Sequence, residues 1–374
     1  MSAAVHPAPT PTGTTTPELP RSFVREVTGT GKGSLLLWPA LIVLAVVLAR
    51  GVESNYWLQV VVNAEIMVIA AVGLYVTFGL CGQVSLGQAG FYALGGYGTG
   101  LLVTKLGWSY GVALVTGTAL AAVVGLLLGI PALRLKGHYL ALVTLGFGQV
   151  IALLLVNWTS LTGGATGVRS VVGPLFEDVE VVTVPDWALF VGVLAVLSVF
   201  VVHRIHHSSF GRMMRAVQDS EVAAAAMGVA LSRAKVLAFT IGAGFAGLAG
   251  ALNAGFVTYI SPSTYDLALS VAMLAMVVVG GARSPWGAVI GAVVLTFLPE
   301  LLRPVQDYYL LIYGFLLLLM VAFVPQGLWG LLRSALGAVT GRVRWRGRDT
   351  VPALTTDEPG RTADEPALTT DGER

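Results

Sequence analysis

The sequence predicts an all-α protein, a polytopic bundle of helices embedded in a membrane. Two features of its composition indicate this class. Of 374 residues, 55% are hydrophobic and only 11% are charged, whereas a soluble domain usually carries about 25% charged residues. The 46 glycines fit the same class, because small residues let transmembrane helices pack closely. Most of the chain is therefore expected to lie in lipid.

Three regions are predicted along the chain. Residues 1–34, rich in Pro and Thr, read as a disordered cytoplasmic tail, and their GTGKGS string lacks the spacing of a phosphate-binding loop. Residues 35–332 form the transmembrane domain, whose first apolar run is expected to stay as a membrane anchor. Residues 333–374 contain the basic string Gly341–Arg348, which would sit at anionic lipid headgroups, and end in a low-complexity disordered tail that is also cytoplasmic.

A hydrocarbon core about 30 Å thick requires roughly 20 apolar residues per helix, and this length predicts about ten membrane segments. The predicted segments are Leu35–Arg50, Trp57–Leu80, Leu86–Leu106, Gly111–Leu133, His138–Asn157, Trp187–His203, Val236–Tyr259, Leu267–Gly281, Trp286–Leu298 and Tyr308–Val324. The glycine-rich segment Leu86–Leu106 is open to a broken or re-entrant path. Leu267–Leu298 is expected to form a helical hairpin that turns at Ala282–Pro285.

The distribution of basic residues predicts the orientation. If the N-terminus is cytoplasmic and the spans alternate in direction, only four of the 22 Lys and Arg lie on the extracytoplasmic side of the membrane: Arg50, Lys105, Arg169 and Arg303. Because cytoplasmic loops carry an excess of Lys and Arg, both termini are predicted to be cytoplasmic.

One polar segment between the spans, residues 204–235, looks folded and is named the polar island below. Its basic residues, which place it on the cytoplasmic side, are Arg204, Arg212, Arg215, Arg233 and Lys235. Nothing between Arg212 and Met227 breaks a helix, and Gly228 stands in the position of a glycine cap. A second short helix is expected near Ser232. Such an element suits docking to a soluble partner, but a solvated loop that merely joins two spans fits the spacing equally well.

The sequence offers little for catalysis or metal binding. It contains no GxSxG or HExxH motif, and its single cysteine, Cys81, excludes an intramolecular disulfide and a cysteine-cluster metal site. His203, His206 and His207 cluster at the end of one predicted span, but no fourth metal ligand is near in sequence, which favours an interfacial basic cluster. A net charge of +2 gives no basis for nucleic-acid binding. No metal, cofactor or enzymatic activity is expected.

Four polar side chains at membrane depth are candidates for a solute pathway. Glu65 is the one carboxylate well inside a span, where an ionisable group is costly; it could instead lie near the outer headgroups or bond within the bundle. Gln83, Ser85 and Gln88 lie in a glycine-rich string and could present dipoles to a neutral or zwitterionic solute. The glycines around them are also explained by helix packing alone.

Five strings of the sequence form one ordered pattern. They are GQVSLGQAGFYALGGYGTG (Gly82–Gly100), LRLKGHYLALVTLGFGQVI (Leu133–Ile151), LTGGATGV (Leu161–Val168), the polar island, and VVGGARSPWGAVIGA (Val278–Ala292). In this order they resemble the membrane subunits of branched-chain amino acid ATP-binding-cassette (ABC) importers, and more narrowly the second of the two permease subunits that such importers pair. The resemblance spans about Gly73 to Leu331.

The resemblance implies a transport subunit without its own ATPase site, in the plasma membrane of a prokaryote. The implied partners are a second permease subunit, two ATP-binding subunits and an extracytoplasmic solute-binding protein, and the implied cargo is branched-chain amino acids. It also implies that the polar island is a coupling loop that seats in a groove of the ATPase. The positions that match the family pattern are Gly211, Arg212, Arg215, Ala216, Glu221, Ala223, Ala224 and Gly228. Gln218, Ala225 and Gln149 depart from it, which leaves the polar contacts of docking open.

Three alternatives stay open on the sequence. Permeases for urea or short amides look similar, so the cargo is undecided. A stand-alone secondary transporter or channel would carry inverted repeats or charged residues in mid-span, and neither is clear. A membrane enzyme would need clustered acids or histidines at an interface, and only the histidine cluster offers that.

Overall fold

The computed structural model describes residues 54–132, 138–169, 183–303, 312, 314, 315, 318 and 327–331. Both predicted tails, the segment Leu35–Arg50 and most of Tyr308–Val324 lie outside these residues. The count of about ten membrane segments and the cytoplasmic termini therefore stay predictions.

The described part of the chain is helical apart from short turns and one pair of short strands. Its α-helices, in order, are α1 (Asn55–Leu74), α2 (Gln88–Leu106), α3 (Tyr110–Ala132), α4 (His138–Asn157), α5 (Thr159–Thr162), α6 (Val184–His207), α7 (Ser209–Asp219), α8 (Glu221–Ala226), α9 (Leu231–Val257), α10 (Leu267–Gly280) and α11 (Pro285–Leu302). One π-helix, Tyr75–Leu80, continues α1, and 3-10 turns occur at Gly164–Thr166 and Pro262–Thr264.

Seven helical segments of the described ranges are long and apolar enough to cross a membrane. They are Asn55–Leu80, Tyr110–Ile130, Tyr139–Asn157, Val184–His207, Leu231–Val257, Pro262–Gly280 and Pro285–Leu302. α2 packs among them as one continuous helix of 19 residues. The glycine-rich segment is therefore unbroken from Gln88 onward, and its irregular part is confined to residues 81–87, between the π-helix and α2.

The predicted helical hairpin is confirmed. α10 and α11 pack against each other and are joined by a turn at residues 281–284. Their backbones approach closely, because an added Cβ at Gly280 would overlap the Gly287 carbonyl and one at Gly291 would overlap the Met276 carbonyl. The small residues of this segment thus serve helix packing.

A two-stranded antiparallel sheet joins the segment after α5 to the segment after α9. β1 (Val168–Arg169) pairs with β2 (Tyr259–Ile260), with Val168 opposite Ile260. The Arg169 guanidinium lies 5.5 Å from the centre of the Tyr259 ring, and the Tyr259 hydroxyl donates to the Thr166 carbonyl. This small sheet fixes the ends of the two helical segments relative to each other.

The core of the bundle lies around α9, which packs against α1, α2 and α3. An added Cβ at Gly95 of α2 would overlap the Gly247 backbone of α9, and one at Gly250 would overlap the Tyr92 carbonyl of α2. One turn before Gly247, an added Cβ at Gly125 of α3 would overlap the Ala243 side chain of α9. Glycine at these positions lets three helices approach to backbone contact, which fixes the position of α2 in the bundle.

We predict that Gly250→Ala destabilises the protein and that Gly244→Ala does not. The new methyl group at Gly250 has no space, so overpacking is expected to cost about 1–3 kcal/mol of unfolding free energy. Gly244, on the same helix, would place its methyl 3.5 Å from the Ala122 Cβ, an ordinary contact. Thermal unfolding in detergent measures both, and equal shifts for the two variants would contradict the packing described for α9.

Candidate functional site

The polar island is attached to the bundle by a tight turn at its start. Ser208 ends α6 and caps α7, because its side chain accepts a hydrogen bond from the Gly211 amide at 3.3 Å. Gly211 is buried, and an added Cβ there would overlap the carbonyls of Ile205 and His206. Only glycine therefore lets α7 fold back against the end of α6.

A hydrogen-bonded chain links α7 to the π-helix that follows α1. The Arg215 guanidinium donates to Nε2 of His206 at 3.2 Å, and Nδ1 of His206 lies 2.7 Å from the Tyr75 hydroxyl. Because a guanidinium only donates, Nε2 is the acceptor, and Nδ1 carries the proton and donates to Tyr75 in a neutral imidazole. Arg215 thus faces the bundle and not the surface.

α7 is amphipathic and packs flat on the bundle. Gly211, Met214 and Val217 are buried at intervals of three residues, so they lie on one face of the helix.

The exposed Arg212 holds the turn between α6 and α7. Its guanidinium donates to the His207 carbonyl at 3.3 Å and to the Ser209 hydroxyl at 2.9 Å.

Gln218, on the last turn of α7, meets the irregular segment before α2. An added Cβ at Gly82 would lie 3.1 Å from the Gln218 side chain, and Gly82 has a φ of +70°. The island is therefore in contact with the segment that carries Gln83 and Ser85.

The prediction of one continuous helix from Arg212 to Met227 is wrong. α7 ends at Asp219, and Ser220 adopts extended backbone with φ −163°. The Ser220 side chain then caps α8 by accepting from the Ala223 amide at 3.3 Å. Serine competes for helical hydrogen bonds in this way, so it divides the island into two helices. The second helix expected near Ser232 is the beginning of the long helix α9.

Gly228 ends α8 in the predicted cap position. Its φ is +80°, its amide donates to Ala225, and the Val229 amide donates to Ala224, both at 3.0 Å. These two hydrogen bonds form a Schellman motif, in which glycine is preferred because the left-handed conformation carries no Cβ penalty.

The strongest polar contact of the island joins α8 to α9. The Lys235 ammonium lies 2.7 Å from Oε1 of Glu221; the lysine side chain is 4% exposed and the glutamate side chain 31%. A buried ammonium is costly unless it is paired, so the Glu221 carboxylate is required to keep the Lys235 side chain buried. The pair ties the second half of the island to the helix at the centre of the bundle.

The outer side of α8 is apolar and uncovered. Val222 is 78% exposed and Met227 85%, and the methyl groups of Ala223, Ala225 and Ala226 are exposed between them. This surface is named the α8 face below. Large exposed apolar side chains grouped on one face are typical of an interaction surface.

The residues matched to the coupling pattern therefore divide into two groups. Gly211 and Ala224 are buried, Arg215, Ala216 and Glu221 are half-buried, and these positions hold the island to the bundle. Arg212, Ala223 and Gly228 are exposed. Sequence reasoning missed Tyr75, His206 and Lys235 as their partners. The position of Lys235 inside an apolar run was the one available sign of a buried ion pair.

The candidate pathway residues also divide. Gln83, Ser85 and Gln88 lie together at the start of α2; they are buried, and their side-chain polar atoms have no hydrogen-bond partner among the described residues. Glu65 is half-buried in α1, roughly 22 Å along the helix axis from Leu80, and its Oε2 also has no such partner. The first three are neighbours along the chain, and Glu65 lies on a different helix.

No group of three or more His, Cys, Asp and Glu side chains within the described ranges is arranged to hold a metal ion. His206 of the histidine cluster is engaged by Arg215 and Tyr75, as described above. His206 therefore serves as a structural link between helices.

Comparison with known proteins gives a consistent result. Residues 56–321 match the family model described as the branched-chain amino acid transport system permease component. The chain is 34% identical over 348 residues to the high-affinity branched-chain amino acid transport system permease protein LivM of Escherichia coli, which covers 87% of this chain and 82% of the relative.

Two further relatives are more distant. The permease protein LivH of the same Escherichia coli system is 27% identical, covering 74% of this chain and 96% of the relative. The autoinducer 2 import system permease protein LsrC of Salmonella paratyphi B is also 27% identical, over 54% of this chain and 58% of the relative. No solved structure matches.

We predict that Glu221→Ala destabilises the protein more than Lys235→Met. The first variant leaves a buried ammonium without its partner, at a cost of about 3 kcal/mol, whereas the second leaves a partly solvated carboxylate at about 1 kcal/mol. The double variant is expected to be more stable than Glu221→Ala alone. Thermal unfolding of the four proteins measures the coupling; purely additive losses would contradict a direct ion pair.

Proposed function

The chain belongs to the family of branched-chain amino acid transport system permease components, and from this premise we propose that it is the membrane permease subunit of an ABC importer for branched-chain amino acids. The cargo is taken from the names of the relatives LivM and LivH, and the relative LsrC is named for a different solute. The assignment of the cargo is therefore part of the proposal.

The proposed complex contains a second permease subunit, two ATP-binding subunits and an extracytoplasmic solute-binding protein. The similarity to both LivM and LivH, two permease proteins named for one Escherichia coli system, supports the pairing of two related chains. The chain is proposed to lie in the plasma membrane of a prokaryote as a multi-pass protein with about ten segments and both termini in the cytoplasm. The excess of Lys and Arg in the loops assigned to the inside supports this orientation.

One observation carries the mechanism: the polar island exposes the apolar α8 face and is bonded to the bundle behind it. In the proposed complex the α8 face docks on an ATP-binding subunit. Motion of that subunit would reach α9 through the Glu221–Lys235 pair and the π-helix through Arg215, His206 and Tyr75. The chain makes and breaks no covalent bond itself; ATP hydrolysis belongs to the partners.

Uptake by the reconstituted importer tests the function. The complex, assembled with its solute-binding protein in proteoliposomes, is expected to accumulate radiolabelled leucine only when ATP is supplied. Uptake of urea or a short amide instead of leucine would reject the proposed cargo. Uptake driven by an ion gradient without ATP would reject the ABC importer in favour of a secondary transporter.

We predict that Val222→Glu abolishes association with the ATP-binding subunits without unfolding the protein. The substitution places a charge in the middle of the α8 face, which is costly at a desolvated contact. Val257→Glu makes the same change at an exposed valine on the opposite end of α9 and should leave association intact. Co-purification in mild detergent measures both, and equal recovery of the ATP-binding subunits would reject docking at the α8 face.

We predict that a cysteine introduced at Ala225 is labelled only from the cytoplasmic side. The single native cysteine, Cys81, is buried and can be replaced by serine to give a background free of thiols. Ala225→Cys introduces a cysteine at an exposed position on the predicted cytoplasmic side. Trp108→Cys is the control, because it is also exposed and lies on the predicted extracytoplasmic side. A membrane-impermeant maleimide applied to intact cells should label only the cysteine at position 108. Labelling at position 225 from outside would reject the proposed orientation.

A further inference from the structure

The start of helix α10 packs against α2 through two buried residues, Tyr265 and Ser270. The Ser270 hydroxyl accepts from the Ala89 amide at 2.9 Å, which places Ser270 beside the first turn of α2. An added Cβ at Gly96 would lie 3.0 Å from the Tyr265 hydroxyl, and Gly96 is about 12 Å along α2 from Gln88. Tyr265, just before α10, thus lies near the midpoint of α2, a helix about as long as a hydrocarbon core is thick.

Three buried tyrosines meet at this depth with unused hydroxyl groups. The Tyr265 ring centre lies 5.8 Å from those of both Tyr92 and Tyr97. Tyr92 is 1% exposed and the other two are 2% exposed, and no hydroxyl of the three has a hydrogen-bond partner among the described residues. The side-chain amide of Gln88, one turn before Tyr92, is also buried, and neither its nitrogen nor its oxygen has a hydrogen-bond partner among the described residues. Such groups cost about 1–3 kcal/mol each when they are buried without a partner, and together they offer hydrogen bonds to a ligand.

A small cavity lies beside Tyr265, between α2, α4 and the start of α10. One part of its lining is apolar and is made by Leu86, Leu145 and Leu267. The other part is polar and includes Tyr265, Asp266, Ser270 and Gln149. A cavity with one aliphatic and one polar wall matches a small molecule that has an aliphatic group at one end and charged groups at the other.

The start of α10 adds electrostatic selectivity to this cavity. The N-terminal end of a helix carries partial positive charge, which attracts a carboxylate. Asp266 caps α10 by accepting from the Leu269 amide through Oδ1 at 3.1 Å, and its second oxygen forms no hydrogen bond in the described residues. Asp266 occupies the positive end of the helix, so this part of the cavity attracts the ammonium group of a zwitterion, and the carboxylate is left to the Tyr265 hydroxyl.

We propose that this cavity is a binding station on the translocation pathway for an aliphatic amino acid. The Tyr265 hydroxyl donates to its carboxylate, Asp266 accepts from its ammonium group, and the three leucines contact its side chain. Binding requires the cavity to widen. α4, which forms one wall, is largely exposed along its length and is thus the wall least held by neighbours. The inference rests on the proposed function, because it assigns a place to the amino acid that the importer carries.

The complete importer in proteoliposomes, supplied with leucine-loaded solute-binding protein, tests the station through three readouts: leucine uptake, ATP hydrolysis and thermal unfolding. Tyr265→Phe removes one hydroxyl and keeps the ring. It is expected to lower uptake about tenfold or more, the factor for a hydrogen bond to a charged group, while ATP hydrolysis and the unfolding temperature stay near wild type. Asp266→Asn keeps a good helix cap but removes the charge, and it is expected to lower uptake as well.

Tyr110→Phe is the matched control. Tyr110 is also 2% exposed, but its hydroxyl donates to the Ala251 carbonyl at 2.9 Å. Its loss should lower the unfolding temperature and leave uptake per ATP unchanged, the reverse of the pattern expected for Tyr265→Phe. If Tyr265→Phe takes up leucine like wild type, or destabilises the protein as much as Tyr110→Phe, the station is rejected while the proposed function stands. If the wild-type importer moves urea and no amino acid, both fail.

Discussion

The arrangement of the molecule depends on backbone contact between α9 and its neighbours. At Gly95, Gly247 and Gly250 the backbones of α2 and α9 meet with no side chain between them. Lipid provides no hydrophobic drive for helices to associate, so close van der Waals contact has to supply it. Because this contact fixes α2 against α9, it also fixes the relative positions of two sets of polar groups. These are the buried polar side chains at the start of α2 and the Lys235 ammonium at the start of α9.

The two polar systems of the protein are neighbours as a result. Gln218 of the polar island touches Gly82, which begins the segment leading to Gln83, Ser85 and α2. Lys235, inside the base of α9, holds α8 through Glu221. A displacement of the island would therefore act at once on the segment that leads into α2 and on α9. The mechanical input and the solute pathway of the proposed importer share one short stretch of chain, and no separate relay between them is needed.

The sequence was sufficient where structure is decided locally. The apolar run His138–Asn157 has the bounds that were predicted, and the hairpin of α10 and α11 forms because residues 281–284 interrupt an otherwise apolar stretch. Features that depend on distant residues could not be predicted. Ser220 breaks a segment of high helix propensity because its hydroxyl caps α8, and Tyr265 meets Tyr92 and Tyr97 only through the packing of α10 on α2. Of the candidate site, sequence patterns identified the island and the buried amides but not their partners.

The division of the island at Ser220 has a consequence for how it can move. The Ser220 amide still bonds back to Ala216 and its carbonyl still accepts from Ala224, so each helix is complete up to this residue. Rotation about the two backbone dihedrals of Ser220 would change the angle between α7 and α8 and break no backbone hydrogen bond of either helix; of the bonds at this residue, only the side-chain cap on the Ala223 amide would be lost. Ser220 is thus a hinge. Helix α8 can tilt together with a partner that is docked on it, while α7 stays packed on the bundle.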